Sequence, residues 1–253
     1  MRPTVREEQL GELTTVIVEM ATGEPNAARP ERVEASSPRP PLTVVLCHGF
    51  GAPATDLVDL AFELEAPAGT RFVFPAAPLP VPMLGPDARA WWPVDLASLD
   101  AAVASGRLDE LCASDPPGIA DARAALTRTL EAARERYGVG DESLLVGGFS
   151  QGAILSADVA FRTALPLGGL VILSGMLFAR EAWRAGMRQR RGLRVVQSHG
   201  TADPILPFPG AERLRDELRS AGLDLTWVTF PGGHGIGPGA LEAVAELLRA
   251  ATR

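Results

Sequence analysis

Residues Gly148, Phe149, Ser150, Gln151 and Gly152 form the pattern G-x-S-x-G. The apolar run SLLVGGF precedes the serine and QGAILSADVAF follows it, so the pattern predicts a strand, a tight turn and a helix. The glycines relieve crowding in such a turn, and the helix N-terminus favours negative charge that develops beside the serine. These features indicate nucleophilic chemistry at Ser150. The alternative is a glycine-rich turn in which the serine only caps the helix.

A serine hydroxyl needs a base to become a nucleophile, and the chain has three histidines, His48, His199 and His234. His234 lies in the segment FPGGHG between the last predicted strand and the last predicted helix, where the order serine, acid, histidine places the base. Asp203 follows the preceding predicted strand and is the candidate acid that orients His234. A solvated loop histidine and a turn before Pro204 are the alternatives.

Two backbone N–H groups are candidates for stabilising an oxyanion. Phe50 follows the first apolar strand and Gln151 follows the serine, which are the positions that supply such donors in this arrangement. We expect His48 and His199 to hold loops through hydrogen bonds. Cys47 is predicted to lie in the core. Neighbours on a strand point to opposite faces, which disfavours a pair between Cys47 and His48.

The elements that position these residues alternate between short apolar runs and longer helical segments. This alternation predicts an α/β fold with a mostly parallel central sheet and helices on both faces. Strands are predicted at 42–47, 70–74, 143–149, 169–174, 193–198 and 223–230, and helices at 56–65, 119–137, 151–165, 180–190, 210–221 and 238–250.

Residues 1–41 are predicted to form an edge strand at 13–20 followed by a proline-rich arm, and residues 42–253 the main domain. An insertion at about 75–118 interrupts that domain and contains a helical stretch at 96–111. We expect it to be a lid or a substrate-binding wall, or else a plain excursion of the chain. Trp91 and Trp92 are candidate substrate-binding residues, with simple packing as the alternative. The apolar insertion is also a candidate contact for a weak homodimer.

Composition excludes several classes of function. All 24 basic residues are arginine, which excludes a Schiff-base enzyme, a P-loop nucleotide binder and a protein kinase, each of which needs a lysine. The net charge of −7 argues against nucleic-acid binding. We expect no metal or other cofactor, since the sequence has neither HExxH nor a CxxC pair. Without an apolar run of membrane-spanning length, the protein is expected to be soluble, cytoplasmic and not stably inserted in a membrane.

The segments LCHGFG, FVFPAAP, ARAWW, GGFSQGA, GLVILSG, HGTADPILPF and FPGGHGI occur in this order. With them, the chain resembles the phospholipase/carboxylesterase family, which includes the acyl-protein thioesterases, from about Leu42 to Arg249. The resemblance implies an α/β-hydrolase fold and a cofactor-free serine esterase. Its triad would be Ser150, Asp203 and His234, and its oxyanion donors Phe50 and Gln151.

The predicted function is a serine carboxylesterase or thioesterase that hydrolyses small to medium acyl esters, from small-molecule or lipid substrates, through an acyl-enzyme intermediate. One alternative is a lysophospholipase, whose phosphate headgroup would bind the arginines at positions 184, 188, 190, 191 and 194. A solvated helix face is the other interpretation of those arginines. A second alternative is a non-catalytic ligand-binding protein with the same fold.

Overall fold

An eight-stranded sheet forms the centre of the protein, whose computed structural model describes residues 3–21 and 41–252. Its strands are β1 (Thr4–Leu10), β2 (Leu13–Glu19), β3 (Thr43–Cys47), β4 (Arg71–Pro75), β7 (Leu144–Phe149), β8 (Gly169–Leu173), β9 (Arg194–Gly200) and β10 (Asp224–Phe230). A separate two-stranded sheet pairs β5 (Leu79–Pro80) with β6 (Arg89–Ala90). The helices are α1 (Leu60–Glu63), α2 (Leu96–Ala104), α3 (Leu108–Ala113), α4 (Ile119–Tyr137), α5 (Gln151–Arg162), α6 (Arg180–Gln189), α7 (Phe208–Ala221) and α8 (Pro238–Ala251).

The strand order is β1-β2-β4-β3-β7-β8-β9-β10. The six strands from β4 to β10 in that order are parallel, while β2 pairs antiparallel with both β1 and β4. The predicted α/β-hydrolase architecture is therefore confirmed, with each predicted parallel strand present within about two residues of its expected bounds.

The N-terminal strands differ from the prediction. The segment expected to be an edge strand forms β2, which has a partner on each side, and β1 forms the edge instead. The sequence TVREEQL of β1 carries Arg6, Glu7 and Glu8 and lacks an apolar face, so its strand signal is weak, yet such charges suit an unpaired edge. The predicted proline-rich arm lies largely at 22–40, outside the described residues.

Apolar cores cover both faces of the sheet. Along β3, Val45 and Cys47 belong to the core that includes residues of α4, α5, α6 and α7, whereas Val44 and Leu46 belong to the core that includes residues of α1 and α8. This alternation explains why the strand reads as an uninterrupted apolar run, because both of its faces are buried.

Two helix predictions need correction at their ends. Helix α1 has four residues instead of the expected ten, because residues 54–59 form turns with hydrogen bonds such as Asp56 N–H to Pro53 O at 3.1 Å. Helix α5 ends at Arg162, three residues before its predicted end.

The insertion contains β5, β6, α2 and α3, and its second half is attached to the main domain. Asp109 of α3 pairs with Arg180 at 3.0 Å and Arg213 at 3.3 Å, while Ala179 N–H donates to Ser114 O at 2.9 Å. Within the described residues, no helix combines the length and apolar character needed to cross a membrane.

Candidate active site

Ser150 lies at the turn between β7 and α5, in a conformation that amino acids with a side chain rarely adopt. Its φ is 54° and its ψ is −116°. Its N–H donates to Leu173 O at 2.9 Å, which ties the turn to the neighbouring strand. A Cβ at Gly148 would lie 2.4 Å from Cys47 O, and one at Gly152 only 2.1 Å from the same atom. The glycines are therefore required because the turn passes directly against β3.

The three predicted triad side chains form one hydrogen-bonded chain. His234 Nε2 lies 2.8 Å from Ser150 Oγ, and His234 Nδ1 lies 2.7 Å from Asp203 Oδ2. Because a carboxylate accepts and does not donate, Nδ1 carries the proton and Nε2 is left to accept from the serine hydroxyl. The Phe149 ring packs beside the imidazole at a centroid distance of 4.8 Å. This geometry allows His234 to take the serine proton as a general base.

The loops that carry Asp203 and His234 are bonded to each other and to β8. Ala202 N–H donates to Gly232 O at 2.9 Å, and the Ser174 hydroxyl donates to Gly235 O at 2.7 Å. Ser174 is buried at the end of β8 and also has a positive φ, of 50°. The histidine loop is therefore anchored on both sides of His234 despite its glycines.

The Asp203 carboxylate is buried but well supplied with donors. Its Oδ1 accepts the N–H groups of Ile205 at 2.8 Å and Leu206 at 2.9 Å. Burial alone raises the pKa of the Asp203 carboxyl, but hydrogen bonds from His199, His234 and these two amides outweigh it and hold the pKa well below its usual range. Asp203 is therefore ionised at neutral pH and can stabilise a protonated His234.

Phe50 and Gln151 lie beside Ser150, and all three line the same cavity. Gln151 is the first residue of α5, so its N–H belongs to the helix end that has no intrahelical acceptors. The loop before Phe50 is held by His48, which donates from Nδ1 to Gly49 O at 2.8 Å and accepts from Ala77 N–H at 3.1 Å. Burial lowers the pKa of His48 to about 4, which keeps the ring neutral in this structural position.

Cys47 is buried and burial raises the pKa of its thiol to about 12, consistent with a core residue and not a nucleophile. Among the described residues, no three His, Cys, Asp or Glu side chains come together as a metal site would require.

The Gln151 side chain has a position that the sequence did not indicate. Its Oε1 accepts Trp91 N–H at 2.9 Å and its Nε2 donates to Trp92 O, also at 2.9 Å. The insertion is thereby fastened to the residue that follows the serine. A buried amide needs partners, but only the folded chain shows that they lie about sixty residues away.

The two tryptophans separate. Trp92 lines the cavity beside Ser150, whereas Trp91 is not among the described lining residues and is 1% exposed. The Trp91 indole N–H donates to His48 O at 3.0 Å, beneath the loop that carries Phe50. Trp92 thus fits the expected place of a substrate-binding residue, and Trp91 instead supports the loop from the core.

The cavity beside Ser150 has a volume of about 490 Å³ and is mainly apolar. Its walls include residues of the insertion, of α5 and of the loop after Asp203: Phe50, Trp92, Pro93, Val94, Asp95, Ser98, Leu99, Leu111, Ser114, Pro116, Pro117, Ser150, Gln151, Ile154, Phe178, Ile205 and Leu206. A larger cavity, of about 700 Å³, lies near the turn between β1 and β2 and contains no triad residue. The smaller one is therefore the candidate substrate site.

The arginines proposed for a phosphate headgroup do not line this cavity in the described structure. Arg184 forms hydrogen bonds of 2.7 and 2.6 Å with Glu217. Arg190 donates to the carbonyls of Ala160, Thr163 and Leu165 at the end of α5. These contacts identify Arg184 and Arg190 as structural residues.

Comparison with known proteins agrees with the motifs and the fold. The sequence profile of the phospholipase/carboxylesterase family matches residues 28–252. The acyl-protein thioesterase 1 homolog 1 of Dictyostelium discoideum is 26% identical over 213 residues, which cover 81% of this chain and 88% of the relative. Acyl-protein thioesterase 1 of Mycosarcoma maydis is 28% identical over 214 residues, covering 78% and 85%.

Solved structures show the same fold. Esterase PE8 superposes with a TM-score of 0.71 at 27% identity, covering 84% of this chain and 94% of the esterase. A carboxylesterase from Mesorhizobium loti superposes with a TM-score of 0.68 at 18% identity, covering 98% and 99%, and supports the fold alone. Given the extent of the profile match and the fold, the chain belongs to the phospholipase/carboxylesterase family, a family of ester-hydrolysing enzymes.

Proposed function

We propose that the protein is a serine carboxylesterase or thioesterase that hydrolyses small to medium acyl esters through an acyl-enzyme. The observation that carries this proposal is the continuous hydrogen-bonded chain from Ser150 Oγ through His234 to Asp203. The acyl-protein thioesterase relatives support thioester substrates, and the carboxylesterase family and esterase PE8 support ester substrates.

In the proposed first step, Ser150 Oγ attacks the acyl carbonyl carbon while His234 Nε2 accepts the proton of the serine hydroxyl. Ionised Asp203 stabilises the resulting imidazolium through Nδ1–H. The N–H groups of Phe50 and Gln151 stabilise the oxyanion, an interaction for which one donor typically contributes a factor of about 10²–10³ in rate.

His234 then gives the proton to the leaving oxygen or sulfur atom, so that an alcohol or thiol departs and the acyl group stays on Ser150. A water molecule repeats the sequence. It loses its proton to His234, attacks the acyl-enzyme and releases the carboxylic acid, after which the proton returns to Ser150. No cofactor is needed at any step.

The cavity supports an uncharged acyl chain as the group that is recognised. Its walls are largely apolar and none of the described lining residues is basic, while Asp95 places a negative charge at the cavity. A phosphate headgroup would therefore lack a cationic partner there. This argues for simple acyl esters over lysophospholipids.

Labelling with a fluorophosphonate probe tests whether the serine is activated. We expect the purified protein to be labelled, and labelling to be lost in Ser150→Ala and His234→Ala. Ser220→Ala is the matched control, since this serine is exposed on α7, and it should label like the wild type. Failure of the folded wild type to label, or labelling retained in Ser150→Ala, would contradict the proposed mechanism.

A substrate series tests the class of substrate. We expect p-nitrophenyl butyrate and octanoate, and the matching thioesters, to be hydrolysed faster than a lysophosphatidylcholine with the same acyl group. Faster hydrolysis of the lysophospholipid would favour the alternative function.

A further inference from the structure

A second histidine contacts the carboxylate of Asp203. His199, in β9, is fully buried, and its Nε2 lies 3.2 Å from Asp203 Oδ2 and 2.8 Å from Leu206 O. Both neighbours are acceptors, so Nε2 carries the proton and donates to them. The other ring nitrogen, Nδ1, is buried and has no hydrogen-bond partner among the described residues. Among the described residues, the His199 ring therefore forms hydrogen bonds through Nε2–H and not through Nδ1.

The oxygen that His199 contacts is the one that holds His234. Oδ2 of Asp203 lies 2.7 Å from His234 Nδ1, so two imidazole donors converge on a single atom. Among the residues that the structure describes, Oδ1 accepts instead from the backbone amides of Ile205 and Leu206. The two oxygens are thus held by different sets of donors, which fixes the rotation of the carboxyl group.

His199 also stabilises the loop that follows Asp203. Its bond to Leu206 O fixes the residue whose N–H donates to Asp203, and Leu206 is in turn a wall of the substrate cavity. The imidazole itself packs against Phe208 at a centroid distance of 6.2 Å and is not among the described residues that line the cavity. Any influence of His199 on the reaction must therefore pass through Asp203 and its loop.

We propose that His199 is a positioning residue of the active site, whose Nε2–H donates to Asp203 Oδ2 and Leu206 O and so aims the carboxylate at His234. This inference rests on the proposed function of the Ser150, His234 and Asp203 side chains. It differs from a general role in folding because it requires the carboxylate of Asp203 to be present.

Steady-state kinetics with p-nitrophenyl butyrate test this inference in two backgrounds. His199→Phe keeps an aromatic ring but removes the donor. We expect kcat to fall by about 10–100-fold, the loss typical when a residue that orients a metal-binding side chain is replaced, and KM to change by less than about 2-fold. His199→Gln retains an N–H group in place of Nε2–H and should recover most of the loss. In an Asp203→Asn background, His199→Phe should lower kcat further by less than about 3-fold, because the carboxylate that it orients is gone.

The matched control is Trp183→Phe, which removes a hydrogen bond of 2.8 Å to buried Asp158 on α5, away from the substrate cavity. It should lower the melting temperature and leave kcat unchanged, which separates general destabilisation from positioning. Equal losses of kcat from His199→Phe in both backgrounds, or a loss confined to KM, would overturn the inference.

A spectroscopic measurement covers the case in which His199→Phe does not fold. The downfield proton resonance of His234 Nδ1–H reports its bond to Asp203, and we expect it to move in His199→Ala and to stay near the wild-type position in His199→Gln. An unmoved resonance in both variants would refute the positioning role. Failure of the proposed function itself is distinguishable, because the wild type would then show no hydrolysis that depends on Ser150.

Discussion

Replacing Ser150 by glycine is expected to give a more stable protein than replacing it by alanine. Both substitutions remove Oγ and its hydrogen bond to His234, so the two variants differ only in the Cβ atom. The backbone at position 150 has φ 54° and ψ −116°, a conformation that is strained for a residue with a Cβ atom and that glycine adopts without strain. The comparison therefore isolates the conformational strain at position 150 from the loss of the Ser150 hydroxyl.

The expected difference follows from two opposing terms. Holding a residue other than glycine in such a conformation costs about 1–3 kcal/mol, and glycine loses about 0.4–1 kcal/mol through the greater entropy of its unfolded chain. The net gain for Ser150→Gly over Ser150→Ala is therefore about 1 kcal/mol. For a chain of 253 residues, this corresponds to a melting temperature higher by roughly 2–4 °C.

Calorimetry and urea unfolding of the two variants measure this difference. The same pair of substitutions at Ser156, in the middle of α5, serves as the control, because glycine is there expected to be less stable than alanine by about 1 kcal/mol or more. A Ser150→Gly variant that melts at or below Ser150→Ala would refute the strain argument, whatever the activity of the wild type.

Three further predictions concern the surroundings of the serine. Burial lowers the pKa of His48 to about 4, whereas an unfolded histidine titrates near 6.5, so the unfolded state binds more protons between these values. The free energy of unfolding should therefore fall as the pH decreases through this window, by roughly 3 kcal/mol from His48 alone. Urea denaturation at pH 7 and pH 4 should show a smaller fall in His48→Gln than in the wild type. Equal falls in the two proteins would contradict a buried, neutral His48. Gly152→Ala should lower the free energy of unfolding, measured in urea, by about 2 kcal/mol or more, because its Cβ would lie 2.1 Å from Cys47 O. Gly235→Ala should lower it much less, because no atom lies within 4 Å of the new Cβ. Trp92→Leu should raise the ratio of kcat/KM for p-nitrophenyl octanoate to that for p-nitrophenyl butyrate by about 4-fold or more, which corresponds to the burial of one additional methylene group. Trp91→Leu should leave that ratio unchanged. Equal shifts in both variants would contradict the placement of Trp92 in the cavity wall and of Trp91 in the core.

The positions of Ser150, Asp203 and His234 could be predicted because each follows a strand in the parallel part of the sheet. The ends of such strands meet at one edge, so residues far apart in the sequence come together there. Apolar runs such as TVVLC and GLVIL identify the strands without any knowledge of the partners. The fold and the hydrogen-bonded chain therefore followed from local patterns.

Contacts between distant polar residues could not be predicted in this way. No local sequence pattern links Gln151 to the backbone of Trp91 and Trp92. No local pattern distinguishes the hydrogen-bonding role of His199 from that of His48 either. Two adjacent tryptophans look alike in the sequence, although one lies in the core and one in the cavity wall. Strand β1 escaped prediction because its charged residues carry no periodic signal.

The hydrogen bonds of Gln151 have a consequence for how new specificities could arise in this protein. These bonds are made to the main-chain N–H of Trp91 and the main-chain carbonyl of Trp92, and neither involves the Trp92 side chain. Mutation can therefore change the cavity wall at position 92 while the main chain at positions 91 and 92 stays in place beside Ser150. Substrate range and catalytic competence can thus change independently, which makes position 92 a natural starting point for evolving or engineering acceptance of other acyl groups.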